Sequence, residues 1–146
     1  MGLNPGYVGH SYPATAVYVV GREKIREFAT AIGATEAIHH DPEAAVASGY
    51  LDVVAPATFA IALTAAAVEQ MIADPELGLD FSRVVHGEQK FAYARPIQAG
   101  DHLVCEATVT DITERAGNGF LTTTTQIKTE LGELVVTATQ KLVVRA

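Results

Sequence analysis

Two adjacent histidines, His39 and His40, head the side chains of this sequence that could move a proton, with Glu36 and Asp41 as the carboxylates beside them. An imidazole titrates near neutral pH and serves best as a general base when an acid orients it. Neighbouring loop residues need not face the same way, so a second reading stands beside the first. In it His40 opens the Asp41-Pro42 helix start and His39 is a partly exposed loop residue. The two histidines and Asp41 do not make a metal set, because no second ligand pair has the spacing. His86 sits in an alternating stretch, VVHGEQKF, where period two puts Glu88 rather than Gln89 on its side unless Gly87 inserts a bulge. Cys105 alternates with Leu103 and Ala107 and reads as core rather than nucleophile. There is no G-x-S-x-G, no phosphate loop and no Cys/His zinc pattern, and no residue set calls for a cofactor.

The element that must position these groups is APATFAIALTAAAVEQMIA, Ala55 to Ala73. Between Ala57 and Val68 it carries no charge, and Thr58 and Thr64 are its polar side chains. A surface helix shows one apolar stripe and one charged face; this one is apolar nearly all round, which predicts a helix surrounded by other structure. Pro56 suits a first turn and Thr58 a cap, while the alanines favour helix and admit close packing. The uncharged run is shorter than a membrane span.

Before it, residues 1–15 read as irregular, Ala16 to Val20 as an edge or joining strand, and 22–32 as an amphipathic helix with Gly33 as its C-terminal cap. Residues 34–40 read as a loop, and Asp41-Pro42-Glu43 as the start of a short helix ending at Gly49. After a linker over 74–82 the pattern turns to alternation: strands over 84–95, 102–112, 120–130 and 134–144. Threonines 122–125 suggest a solvated strand face. Turns between successive strands predict an antiparallel meander, and with the one long helix the class is α+β, a sheet curled around that helix.

The 146 residues fit one domain, 1–146, and 49% hydrophobic content suggests that part of the surplus covers an oligomer interface. A net charge of −7 without a basic cluster argues against nucleic acid and anionic membranes as partners. The N-terminus has neither a basic leader nor a long apolar run, and one cysteine permits a reducing compartment, so the expected location is cytoplasmic.

The segments GREKIREFA (21–29), GYLDVVAPATF (49–59), RVVHGEQKFAYARPIQAGD (83–101) and GELVVTATQKLVVR (132–145) resemble the MaoC-like dehydratases, specifically the subgroup related to their N-terminal domain. The resemblance covers almost the whole chain and implies a single hot-dog domain. The subgroup includes the substrate-binding subunit of a heterodimeric (3R)-hydroxyacyl-ACP dehydratase, and related members act on CoA thioesters. Active relatives carry a loop reading roughly D-x-N-P-[IL]-H, whose Asp and His act on a 3-hydroxyacyl thioester. Backbone N–H groups at the start of the central helix serve the enolate oxygen in those relatives.

Here Ile38-His39 falls on the [IL]-H end, so Ala34 stands at the Asp position, Glu36 at the Asn and Ala37 at the Pro. Ala57 stands where the family has a glycine. At most the histidine of the motif remains, so His39 and His40 are catalytic candidates without a partner acid. The resemblance implies substrate contacts from Ala57, Thr58, Ile61, Ala62, Ala65 and His86, with no metal. The expected function is an acyl-binding, non-catalytic dehydratase subunit binding acyl-CoA or acyl-ACP, paired as a homodimer or with a catalytic MaoC-type hot-dog protein. The alternatives are a self-sufficient homodimeric hydratase using His39 or His40 and a non-enzymatic thioester-binding protein.

Overall fold

The computed structural model of the chain describes residues 2–146. Its elements are β1 (Tyr18–Val19), α1 (Arg22–Ala31), α2 (Pro42–Ala47), α3 (Ala60–Ile72), β2 (Val84–Tyr93), β3 (His102–Arg115), β4 (Asn118–Thr129) and β5 (Leu134–Val144), with 3-10 turns at Pro5–Tyr7, Ala37–His39 and Phe81–Arg83. The five strands form one antiparallel sheet in the order β1-β3-β4-β5-β2. The class is α+β, with the sheet curled on α3.

The expected meander holds for β3, β4 and β5 and fails at β2. That strand pairs with β5, Val84 opposite Val144 through Tyr93 opposite Val136, and not with its successor β3. The Pro96–Asp101 turn is therefore a crossover to the far side of the sheet. Its corner is held by charge: Arg95 places Nη1 and Nη2 at 2.9 and 3.0 Å from the Asp101 carboxylate and Nη2 at 3.2 Å from Glu133. Asp101 also accepts the Gln98 N–H. A turn rich in Pro and Gly punctuates the chain without saying which strand follows it in space.

Inward positions alternate along each strand: Leu103, Cys105, Ala107 and Val109 on β3, Leu121, Thr123, Thr125 and Ile127 on β4, Val136, Ala138, Gln140 and Leu142 on β5. The solvated threonine face is thus half of that run. Thr122 and Thr124 face outward, while Thr123 and Thr125 are buried, because period two sends alternate residues to opposite faces. Cys105 is core as expected, its Sγ 3.5 Å from the Leu63 carbonyl.

Helix α3 begins five residues later than the apolar run. Ala60, Leu63, Thr64, Ala67 and Met71 are buried on the sheet, whereas Ile61, Ala65, Ala66 and Ile72 are exposed. One curled sheet covers one face of the rod, and the other apolar face lies bare in the single chain. The irregular N-terminal stretch lies along the outer edge of β3: Gly9, Tyr12 and Thr15 donate N–H to the carbonyls of Val109, Ala107 and Cys105. Among the described residues no helix is long and apolar enough to cross a membrane.

Candidate active-site loop and acyl groove

The loop over 34–40 contains one 3-10 turn, Ala37–His39, docked on the extended residues before α3 through Val54 N–H to the Ile38 carbonyl. His39 is 8% exposed, which corrects its reading as a partly exposed loop residue. Its Nδ1 lies 2.6 Å from the Val54 carbonyl. A carbonyl only accepts, so Nδ1 carries a proton. His40 donates from Nε2 to the Ala34 carbonyl at 2.8 Å. Arg26 Nε donates to the His40 carbonyl. Among the described residues no carboxylate bonds to either imidazole, and Glu36 is exposed. Asp41 caps α2 by accepting the Glu43 N–H, as the Asp-Pro pair predicts.

At the head of α3 the polypeptide enters through backbone turns: Phe59 N–H bonds to the Pro56 carbonyl, Ile61 N–H to Thr58 and Ala62 N–H to Phe59. Thr58 does not cap the helix, a correction to the sequence reading; the cap position is Phe59, in αR geometry with no side-chain bond. The N–H groups of Ala57 and Thr58 have no acceptor among the described residues. The Tyr93 hydroxyl donates to the Ala57 carbonyl, fixing the end of β2 to the start of the helix. Burial pushes this phenol up to about 12.

A groove of about 480 Å³ runs along the bare side of α3, from Ile61 to Ile72, against strands β2 and β5. Thr64, Ala65 and Val68 form one wall, His86, Gln140 and Leu142 the other, and most of the surface is apolar. Of the expected contacts, Ile61, Ala65 and His86 line the groove, whereas Ala57 and Thr58, both exposed, and the half-buried Ala62 do not.

A bulge brings His86 there. The register slips between His86 and Glu88, so Gly87 is the extra residue. A Cβ at Gly87 would sit 3.2 Å from both the Lys141 carbonyl and Val143 Cγ2. As a result His86, Gln89, Phe91 and Tyr93 stand opposite the inward residues Leu142, Gln140, Ala138 and Val136, and Glu88 points outward with Lys141. Period two alone gives the wrong neighbour for His86. Its Nε2–H donates within its own strand, to the Glu88 carbonyl at 3.0 Å. Gln140 was not anticipated, although its signal was present: a polar side chain at an inward position of an apolar alternation.

The family model for the FAS1-like dehydratase domain region matches residues 6–138. The chain belongs to this family. It is 55% identical over 145 residues to the UPF0336 protein of Saccharopolyspora erythraea, a match covering 99% of this chain and 93% of that one. Its fold is similar to a chain of the C-terminally truncated HadBC (3R-hydroxyacyl-ACP dehydratase) complex from Mycobacterium tuberculosis, with TM-score 0.80, 30% identity and coverage of 94% of this chain and 96% of that one. A MaoC-like dehydratase is similar at TM-score 0.83 and 35% identity, over 96% of this chain and 42% of that chain. The fold is accordingly the hot-dog fold of these hydratases and dehydratases. As a FAS1-like dehydratase region, the chain holds no cluster of three or more His, Cys, Asp or Glu fit for a metal ion among its described residues.

Proposed function

We propose that this chain is the acyl-binding, non-catalytic subunit of a (3R)-3-hydroxyacyl thioester dehydratase, working beside a MaoC-type partner that carries the Asp/His loop. The observation that carries the reading is the contrast between an apolar groove along α3 and a loop whose histidines bond to backbone carbonyls, with no carboxylate bonded to either imidazole among the described residues. Dehydration takes a proton from the carbon next to the thioester carbonyl and gives one to the departing hydroxyl. A lone imidazole without an orienting carboxylate is poorly equipped for both steps. The N–H groups of Ala57 and Thr58, at the positive end of α3, suit the thioester oxygen. The chain beyond it lies along the groove, where each buried methylene contributes ~0.8 kcal/mol.

The bare apolar face of α3, with Ile61, Ala65 and Ile72, is the surface a second hot-dog unit would cover. The 30% identity to a chain of the HadBC complex supports a different polypeptide as that unit, and a second copy is the other arrangement. The carrier is CoA or ACP, the working compartment is the cytoplasm, and the domain spans 1–146.

Crotonyl-CoA hydration tests the proposal. The purified chain alone should be inactive, and activity should appear when a MaoC-type protein with an intact D-x-N-P-[IL]-H loop is added. Activity of the chain alone, lost in His39→Ala, would establish instead the self-sufficient homodimer.

A further inference from the structure

The sheet has two edges, and they are finished differently. Beyond β3 lie β1 and the N-terminal stretch, where Gly9, Tyr12 and Thr15 donate to β3 carbonyls and the Val109 N–H bonds back to His10. Beyond β2, the last strand in the sheet, no described strand is paired. The Ala94 N–H bonds the Val135 carbonyl at 2.8 Å, and with the register of β2 on β5 this turns the backbone groups of Lys90 and Ala92 toward β5. Those of Gln89, Phe91 and Tyr93 therefore face the open side. A long open edge is a template for another strand, and proteins either blunt such an edge or pair it. On its outer face this edge carries Glu88 and the exposed Lys90, which has no ion-pair partner among the described residues. On its inner face Gln89 Oε1 is buried without a hydrogen-bond partner, while its Nε2 reaches the Thr139 carbonyl at 3.3 Å.

We propose that this edge pairs with the same edge of a second copy of this chain, antiparallel about a two-fold axis at Gln89. Charge selects that register. With the axis at Gln89, Glu88 stands directly opposite the partner's Lys90, and by symmetry the pair occurs twice on the outer face. Moving the axis to Glu88 or to Lys90 sets like charges against each other. Moving it to Phe91 leaves Glu88 and Lys90 opposite alanines, the partner's Ala94 and the partner's Ala92. Opposite charges directly across a strand pair stabilise it, and like charges destabilise it. The axis at Gln89 also brings the partner's Gln89 carboxamide opposite the orphaned Oε1, and a carboxamide can donate to it. An unrelated strand has no reason to repeat this pattern in reverse, whereas a second copy does so by symmetry. Strand β2 also walls the groove, so the added strand borders the bare face of α3, the surface assigned above to the MaoC-type partner. Pairing with itself and pairing with that partner then exclude each other. The exclusion rests on the proposed function; the self-pairing stands without it.

Sedimentation equilibrium of the full chain, 15.4 kDa as a monomer, tests the pairing. The wild type should sediment as a dimer. Glu88→Lys and Lys90→Glu should each weaken that dimer about tenfold, and the two substitutions together should restore it. Both positions are exposed, and either single variant suffices if the other fails to fold. Gln89→Cys reads the register: the paired Cα atoms would lie ~5.5 Å apart, within disulfide reach, so oxidation should give a covalent dimer. Ala92→Cys, three residues from the axis, should not cross-link, and neither should the wild type, whose Cys105 is buried. The covalent dimer should refuse a MaoC-type partner until it is reduced. A monomeric wild type, or a dimer indifferent to both charge reversals, overturns the pairing, and a covalent dimer that still takes up the partner overturns the exclusion. A monomer that nevertheless confers crotonyl-CoA hydration together with that partner would strike this inference alone and leave the proposed function standing.

Discussion

The loop over 34–40 and the groove along α3 are built from similar material to different ends. In the loop both histidines are bonded to backbone carbonyls, His39 to Val54 and His40 to Ala34, and the adjacent Asp41 caps α2. On the groove wall Thr64 and His86 bond to backbone carbonyls of their own elements, and the rest of the lining is mostly apolar. Satisfied groups hold a backbone in place. In the proposed reading His39 is a structural peg in the loop and the groove is the binding site.

The largest effect should come from filling the groove. Ala65 is exposed on α3 and lines it, so Ala65→Trp adds bulk without disturbing the core. Displacing three methylenes of ligand costs about 2.4 kcal/mol, roughly fiftyfold in affinity. Acyl-analogue titration should show that loss with the melting temperature nearly unchanged. Unaltered affinity would mean that the groove is not where the chain binds, and the contrast between the regions would collapse.

A middling effect, on stability and not on turnover, should follow His39→Ala. The buried ring bonds the Val54 carbonyl, and losing that donor leaves a buried acceptor unpaired, at a cost of about 1–3 kcal/mol. Denaturant titration should register this, while kcat of the assembled complex stays within about twofold, less than the effect of removing a working general base. A hundredfold fall in kcat with a normally folded variant would make His39 a base and reverse the assignment of roles.

Much of this was legible in the sequence because the signals were local. The Asp41-Pro42 helix start, the Gly33 cap with φ +75° and the alternation around Cys105 each follow from neighbouring residues. What escaped depends on the third dimension. The pairing of β2 with β5 is set by which edge the crossover reaches, a matter of sheet twist and the Arg95–Asp101–Glu133 corner rather than of turn residues. The one-sided burial of α3 needs the sheet's extent, since an all-apolar helix reads the same whether a sheet or a second chain covers it. The face of His86 turned on whether Gly87 was a bulge, which alternation alone could not decide.

The smallest effect concerns pH, and it should touch the loop side alone. Arg22 Nε and Nη2 grip the Asp52 carboxylate at 2.9 Å, tying the start of α1 to the extended stretch that carries Val54. The Arg22 hydrogen bonds hold the Asp52 carboxyl below the usual carboxylate range, against the opposing pull of desolvation and with help from the Val53 N–H. A depressed pKa in the folded state stabilises the fold fully above the unfolded value, near 4, and that contribution fades as pH falls through the lower folded value. The wild-type melting temperature should therefore drop toward the Asp52→Asn value as pH is taken from 5 to below about 3. Amide exchange at Ile38–His40 should speed up before that of α3 does, because the loop hangs on Val54 while the helix rests on the sheet. Equal acceleration in both would show that the two regions unfold as one, and that the loop has no independent hinge at Asp52.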